Sequence, residues 1–173
     1  MTGQNHSYLF REALWTAEGT YRDGEGSEFP VRGETRIRHY EDHWSIEGSM
    51  HLYGDEKTAF VNNYRVEPFE PSGADTAWTS ENPALGALKG RFAVVEDVIL
   101  SHFESDDRRY SGVECLRRIN HHSYRSRGVL YDGERLLSAW AVNLMMIHGE
   151  KGTEEDDEER SGPKGSVRKE TDF

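Results

Sequence analysis

The sequence has a single cysteine, Cys115, among its 173 residues. A disulfide framework within the chain is therefore excluded, and one thiol is typical of a reducing compartment. The first residues also lack the basic and then apolar order of a secretory signal, and no apolar run approaches the about 18 residues of a membrane-spanning helix. These absences predict a cytoplasmic protein that does not cross a membrane.

Basic residues are few as well, with 21 lysines and arginines against 32 aspartates and glutamates, and the net charge is −11 at pH 7. A surface of this sign repels phosphate backbones and anionic lipids, so nucleic acid and membranes are not expected partners. The hydrophobic fraction of 35% supports the core of one domain. A small molecule is the expected partner, and homo-oligomerisation stays open.

Helical periodicity is nearly absent, and most of the chain alternates with a period of two. Val31, Thr35 and Ile37, for example, alternate with Arg32 and Arg36. Such alternation is typical of an antiparallel strand with one buried face. The pattern predicts ten strands, at residues 15–21, 31–39, 44–52, 58–69, 76–80, 88–95, 98–104, 110–119, 124–131 and 135–147.

The last three predicted strands lie within residues 109–148 and form a meander. Asp132-Gly133 between two of them is a strong hairpin signal, because both residues tolerate positive φ. Short connections throughout favour an up-and-down barrel over a Greek-key sandwich, and an immunoglobulin-like domain would need a second cysteine. The prediction is an all-β fold, a single antiparallel up-and-down barrel over residues 15–148, closed by pairing of this meander with residues 15–21.

Both ends of the chain depart from the alternating pattern. Ser7 is placed to cap a short helix over residues 8–14, which would complete an N-terminal segment over residues 1–14. Residues 149–173 contain few apolar side chains and a solid acidic run at 154–159, which predicts a disordered, solubilising tail. One functional hypothesis makes the barrel a scaffold whose rim or tail binds a protein.

Glycine recurs in the middle of the predicted strands, where it weakens a strand unless the fold needs it there. In a barrel, such a glycine either lets the sheet bend tightly or leaves space in the interior. Sheet curvature alone and the clearing of a ligand cavity are both open interpretations. The positions are Gly19, Gly33, Gly48, Gly90, Gly112 and Gly128.

The early strand carries Trp15 and Gly19-Thr20-Tyr21, glycines recur strand after strand, and a hairpin over residues 124–144 closes the chain. In these features the chain resembles the calycin superfamily of lipocalins, fatty-acid-binding proteins and haem-binding nitrobindin-like barrels. It departs from the lipocalin Gly-x-Trp motif, since Ala13 stands at the glycine position, and residues 23–27 are too few for a helical lid. The lidless nitrobindin-like layout is the most similar. The resemblance implies a barrel that binds a small apolar or amphipathic molecule.

A barrel of about ten strands is wide enough to enclose a small ligand. Aromatic and polar side chains on the inward faces would form its wall. Of the charged residues on strands 110–119 and 124–131, one could be enclosed, and an enclosed arginine would pair with a carboxylate or bind an anionic head group. The alternative places Glu114, Arg118, Arg125 and Arg127 on the outer wall. The predicted ligand-binding residues are Trp44, Asn62, Tyr64, Trp78, Phe92, Glu114, Arg127 and Trp140.

Two alternative hypotheses assign a chemical activity to the same barrel. Haem needs one axial histidine in an apolar pocket, and His39, His102 and His148 are the candidates. Acid/base catalysis would use Glu114 with an arginine partner and Tyr64 nearby. No His-x-His, His-Glu-x-x-His or Cys-x-x-Cys spacing occurs, so no metal site is predicted. Binding is favoured over catalysis.

Overall fold

The structure, a computed structural model, describes residues 5–54 and 59–149. Ten antiparallel strands form a closed barrel, in which each strand pairs with its neighbours in sequence and the first pairs with the last. The predicted all-β, up-and-down barrel is therefore confirmed. The strands are β1 (Ala13–Asp23), β2 (Glu28–His39), β3 (Trp44–Leu52), β4 (Ala59–Val66), β5 (Asp75–Asn82), β6 (Gly86–Val95), β7 (Val98–Ser105), β8 (Tyr110–Asn120), β9 (Ser123–Asp132) and β10 (Arg135–Gly149).

The closing contact is the one that the sequence predicts, between the final meander and the first strand. In the β1–β10 pair, Ala17 lies opposite Leu144 and Tyr21 lies opposite Trp140. Every strand therefore has two neighbours, and the shortest ladder joins β4 to β5 over Tyr64–Val66 alone. The predicted tail over residues 149–173 lies outside the described residues, apart from Gly149, which ends β10.

Strand positions agree with the predicted ones, and the boundaries differ where tertiary packing intervenes. The predicted fourth strand ran to Phe69, but β4 ends at Val66. Phe69 instead packs against the rings of Phe10 and Trp44, with centroid distances of 4.8 and 5.9 Å. Pro68 explains the end of the strand, because it has no backbone N–H to continue the ladder.

The predicted N-terminal helix over residues 8–14 is wrong. Only one helical turn forms, closed by the hydrogen bond from Arg11 N–H to the carbonyl of Ser7 at 3.0 Å. Leu9 has a φ of +69°, in the left-handed region that stops a right-handed helix, and its side chain is 1% exposed. Burial of Tyr8 and Leu9 in the barrel end outweighs the local preference for a helix, and β1 begins directly afterwards at Ala13.

Residues 5–12 are the described residues that precede β1, and they close one end of the barrel. From here on, the N-terminal segment means these eight residues. Tyr8 meets the fully buried ring of Trp15 edge-on at 5.2 Å, and Tyr124 meets the same ring at 5.5 Å. Phe10 continues this aromatic cluster towards Trp44 at 5.8 Å. We call this the closed end.

A small polar cluster anchors the N-terminal segment to the closed end. His6 contacts the carbonyl oxygen of Glu96 through Nε2 at 2.9 Å and the hydroxyl of Tyr124 through Nδ1 at 3.1 Å. A carbonyl oxygen only accepts, so Nε2 donates, and Nδ1 of the neutral ring accepts from Tyr124. Tyr124 in turn accepts from the N–H of Ser7 at 3.0 Å, and the Ser7 hydroxyl donates to the carbonyl of His121 at 2.5 Å.

The mid-strand glycines fall into two groups, of which the first agrees with the interpretation as sheet curvature and the second accommodates aromatic rings. A Cβ atom at Gly19 or Gly33 would overlap the backbone of the adjoining strand, so these glycines permit the close approach of curved strands. At three other positions, a Cβ atom would overlap an aromatic ring that lies flat across the glycine. The ring–glycine pairs are Trp78 with Gly90, Phe103 with Gly112 and Trp140 with Gly128.

Among the described residues, no helix reaches the length and apolarity needed to cross a membrane.

Candidate ligand-binding site

A cavity of about 240 Å³ lies inside the barrel. Tyr8 of the N-terminal segment forms part of its wall at the closed end. At the opposite end, Ala84 and Leu85 in the β5–β6 connection form part of the wall, and Ala84 is solvent-exposed. We call this second end the open end, because exposed Ala84 borders the cavity there.

Aromatic rings dominate the wall of the cavity. Trp78 is central, with Tyr64 edge-on at 4.8 Å and Phe92 and Phe103 both at 5.9 Å. Flat rings provide a large apolar surface with few rotatable bonds, which suits a preformed ligand site. The aromatic side chains of the wall are Tyr8, Tyr21, Phe60, Tyr64, Trp78, Phe92, Phe103 and Trp140.

Glu114 is the carboxyl group among the described lining residues, and two donors hold it in place. The Ser126 hydroxyl donates to Glu114 Oε1 at 2.5 Å, and the indole N–H of Trp140 donates to the same oxygen at 3.2 Å. The second carboxyl oxygen, Oε2, receives no hydrogen bond from the described residues. The carboxyl group is thus oriented by the barrel and retains acceptor capacity towards the cavity.

Gly128 makes this arrangement geometrically feasible. Its Cα lies opposite Glu114 in the β8–β9 pair and opposite Trp140 in the β9–β10 pair, so it separates the two partners in the sheet. Without a side chain at Gly128, the indole of Trp140 lies flat over β9 and reaches the carboxyl group on β8. The hydrogen bond between Trp140 and Glu114 therefore depends on a residue that touches neither polar atom.

Burial shifts the pKa of ionisable groups of the cavity in the direction that favours the neutral form. Burial raises the pKa of Glu114, and the hydrogen bonds from Ser126 and Trp140 only partly offset this effect. Burial also raises the pKa of Tyr64 and of Tyr8, and the negative charge of Glu114 adds to both shifts. Among the described lining residues, no cation lies beside the carboxyl group to offset this rise in pKa.

Two asparagines lie near the open end. The Asn82 side-chain amide donates to the carbonyl oxygen of Asn62 at 3.2 Å, which links β5 to β4. The carbonyl oxygen of Asn82 accepts from the backbone N–H groups of Ala84 and Leu85, at 2.9 and 3.0 Å. Asn82 thereby fixes the loop that forms the rim of the cavity.

Six of the eight predicted ligand-binding residues line the cavity, and two do not. Trp44 belongs to the closed end, where its ring stacks on His39 at 4.1 Å. Arg127 lies on the exposed outer face of β9, and its guanidinium donates to the backbone carbonyls of Ser126 and Val142. The six that line the cavity are Asn62, Tyr64, Trp78, Phe92, Glu114 and Trp140.

The arginine partner that the sequence suggested for Glu114 is absent from the cavity wall. Arg125 is exposed like Arg127, and the guanidinium of Arg118 donates to the carbonyl of Asn5 at 2.8 Å. Of the four charged residues considered, the barrel encloses Glu114 and leaves the cations outside the cavity. An enclosed Glu–Arg pair is therefore wrong.

The sequence interpretation missed several wall residues, and the signals for them differ. Ser126 shares an uncharged face with Gly128 on a strand whose other face carries arginines, so alternation alone could have placed it inside. Tyr8 had no such signal, because it was expected to lie on a helix. The missed wall residues with polar atoms include Tyr8, Tyr21, Thr35, Asn82, Ser101, Ser126 and Ser138.

Two of the three candidate haem ligands have side chains that lie away from the cavity. His39 Nε2 contacts the carbonyl of Leu9 at 2.7 Å in the closed end, and His102 is exposed on β7. His148 is opposite Leu14 in the β1–β10 pair. The described lining residues include no histidine, and residues 5–54 and 59–149 contain no group of three side chains placed to hold a metal ion.

A scan against protein-family models finds no match, and no curated protein matches this sequence. A solved structure from Nitrosomonas europaea, described provisionally as AttH, aligns over 84% of this chain at 8% identity with a TM-score of 0.32. The chain spans 53% of that structure's length. The N-terminal dehydratase of the difficidin assembly line aligns over 82% of this chain and 80% of its own, at 9% identity with a TM-score of 0.26. Likenesses this low support no argument about fold or function.

Proposed function

We propose that this protein binds a small apolar or amphipathic molecule inside a calycin-like barrel. The observation that carries the proposal is the cavity of about 240 Å³, walled by aromatic rings and holding one oriented carboxyl group. Preformed, mostly apolar cavities with a few fixed polar groups are typical small-molecule sites. The volume lies just below the about 300–1,000 Å³ of such sites, so the ligand is small.

The same geometry supports binding over the two catalytic alternatives. Haem binding through an axial histidine finds no imidazole among the described wall residues. Acid/base catalysis with an arginine beside Glu114 lacks the arginine, because Arg125 and Arg127 are exposed on the outer face of β9. The carboxyl group that faces the cavity is better suited to holding a ligand in one orientation.

Intrinsic fluorescence tests this proposal directly, because Trp78 and Trp140 line the cavity. Titration with a neutral apolar probe such as naphthalene should change the emission in a saturable way. Ala17→Phe places a ring in the cavity from β1 and should weaken probe binding at least about tenfold, since the space is lost. Thr20→Phe adds the same ring on the exposed face of β1 and should leave binding unchanged.

Equal binding by the wild type and Ala17→Phe would contradict an internal site. So would the absence of saturable binding by the wild type. Circular dichroism of both variants checks that the barrel is intact.

A further inference from the structure

We propose that the ligand of this cavity carries a protonated amine, whose ammonium group pairs with Glu114 while its apolar part lies among the aromatic rings. This inference rests on the proposed binding function and names the chemical class of the ligand. It follows from the charge of the wall, from the free acceptor of the carboxyl group and from the aromatic surroundings.

The described wall of the cavity contains a carboxyl group and no basic side chain. Glu114 is its ionisable carboxyl group, and no lysine, arginine or histidine is present among the described lining residues. A fatty acid or phosphate would place its negative charge beside a desolvated carboxyl group with no cation among the described lining residues to offset it, which low dielectric makes costly. An ammonium group supplies the missing opposite charge.

The geometry leaves a carboxyl oxygen of Glu114 as an acceptor for the ammonium group. Ser126 and Trp140 both donate to Oε1 of Glu114, which orients the carboxyl group and leaves Oε2 without a donor from the described part of the chain. Ser101, whose Cα is opposite Glu114 in the β7–β8 pair, also lines the cavity. Its hydroxyl oxygen accepts from the indole N–H of Trp78 at 3.3 Å and has a second lone pair for a group with three N–H donors.

The rings of the cavity also suit a cation. Trp140 turns the N–H edge of its indole towards Glu114, and the rings of Tyr64 and Trp78 line the same cavity. Aromatic faces attract cations, and tryptophan does so most strongly. A neutral alcohol gains little from these faces, and a carboxylate is repelled by them.

Isothermal titration calorimetry with three ligands of one chain length tests the inference. n-Hexylamine, 1-hexanol and hexanoate differ only in head group. We expect the wild type to bind the amine at least about tenfold more tightly than the alcohol, and hexanoate most weakly, because hydrogen bonds to charged groups exceed neutral ones in strength. This ranking needs no variant.

Two matched variants locate the effect. Glu114→Gln keeps the size and the acceptor oxygen for Ser126 and Trp140, and should abolish the preference for hexylamine over hexanol while hexanol still binds. Glu18→Gln removes the same charge from the exposed outer face of β1 and should keep the preference. Thermal unfolding of each variant confirms that it is folded.

The outcomes separate the two proposals. If hexanol or hexanoate binds as tightly as hexylamine, or if Glu114→Gln retains the preference, the amine inference is overturned and the cavity remains a binding site. If none of the three ligands binds and the neutral probe naphthalene does not bind either, the proposed binding function is wrong.

Discussion

The closed end and the cavity each hold a buried polar group among aromatic rings, but they satisfy that group differently. At the closed end, both ring nitrogens of His6 have partners, and the hydroxyl of Tyr124 both donates and accepts. In the cavity, Glu114 has two donors on Oε1, and none of the described residues donates to Oε2. The cluster of His6, Ser7 and Tyr124 is satisfied and stabilises the fold, although the indole N–H of the neighbouring Trp15 is buried without a partner among the described residues. The second carboxyl oxygen of Glu114 faces a cavity instead and is available to a ligand.

The two groups also respond to pH in opposite directions. Burial lowers the pKa of His6, and burial raises the pKa of Glu114, because each group loses the hydration of its charged form. Acid therefore weakens the closed end, and base weakens the packing around Glu114. Stability measurements can consequently assign an effect to one region or the other.

Removing the central ring of the closed end should have the largest effect. Trp15 is fully buried, so Trp15→Ala should lower the free energy of unfolding by about 3–5 kcal/mol in urea titrations. Phe60→Ala removes a half-buried ring from the cavity wall and should cost clearly less, since solvent and the cavity already border it. Equal losses would show that stability is not concentrated at the closed end.

Removing one hydroxyl oxygen from a tyrosine in each region compares the closed end with the cavity. Tyr124→Phe strands the N–H of Ser7 and the Nδ1 of His6, and should destabilise the protein by about 1–3 kcal/mol. Tyr64→Phe removes a hydroxyl that makes no hydrogen bond with the described residues, and should change stability by less than about 1 kcal/mol. The reverse order in chemical denaturation would place the structural hydrogen bonds in the cavity instead.

The raised pKa of Glu114 predicts a stability slope with a definite sign. Above pH 4.5, the ordinary value, the unfolded chain loses this proton before the folded one. The free energy of unfolding should therefore fall as pH rises from 4.5 through the folded pKa. The fall is about 1.4 kcal/mol for each pH unit between the unfolded and the folded pKa. In Glu114→Gln this contribution should vanish, so the difference between variant and wild type should grow with pH. A constant difference would contradict the raised pKa.

His6 should give a smaller slope of opposite sign. Below pH 6.5, the unfolded chain takes up this proton before the folded one, so stability should fall as pH drops from 6.5 through the lowered pKa. His6→Gln should flatten that part of the curve, while His102→Gln, a change at an exposed histidine on β7, should leave it unaltered. Identical curves for His6→Gln and the wild type would remove His6 from the acid response.

The barrel could be predicted from the sequence because its signals are local and repeated. Alternation such as Val31, Thr35 and Ile37 against Arg32 and Arg36 specifies which face of β2 is buried, and short turns specify the up-and-down order. Tertiary packing decided the exceptions. Leu9 adopts a left-handed conformation to bury its side chain, and nothing in residues 8–14 signals that.

The candidate site could be predicted in part from the sequence, but the inward face of β8 could not. Hydrophobicity alone would bury Val113 and Ile119, yet they are 51% and 50% exposed, and Glu114 lies inside. The register sets this choice, because Gly112 and Leu116 share the inward face with Glu114. A strand whose two faces are both mixed takes its orientation from its neighbours, and a single sequence does not display that pairing.

The ring of Trp140 that lies across Gly128 makes the shape of the interior adjustable as a pair, because the atoms nearest a Cβ at Gly128 all belong to that ring. Exchanging this pair for two medium-sized side chains would redistribute volume, whereas a Cβ at Gly90 or Gly112 would also overlap a backbone carbonyl of the adjoining strand. Selection acting on such couples can reshape the chamber while the hydrogen-bonded sheet stays constant. A scaffold of this kind permits related chains to diverge in what they hold long before they diverge in architecture.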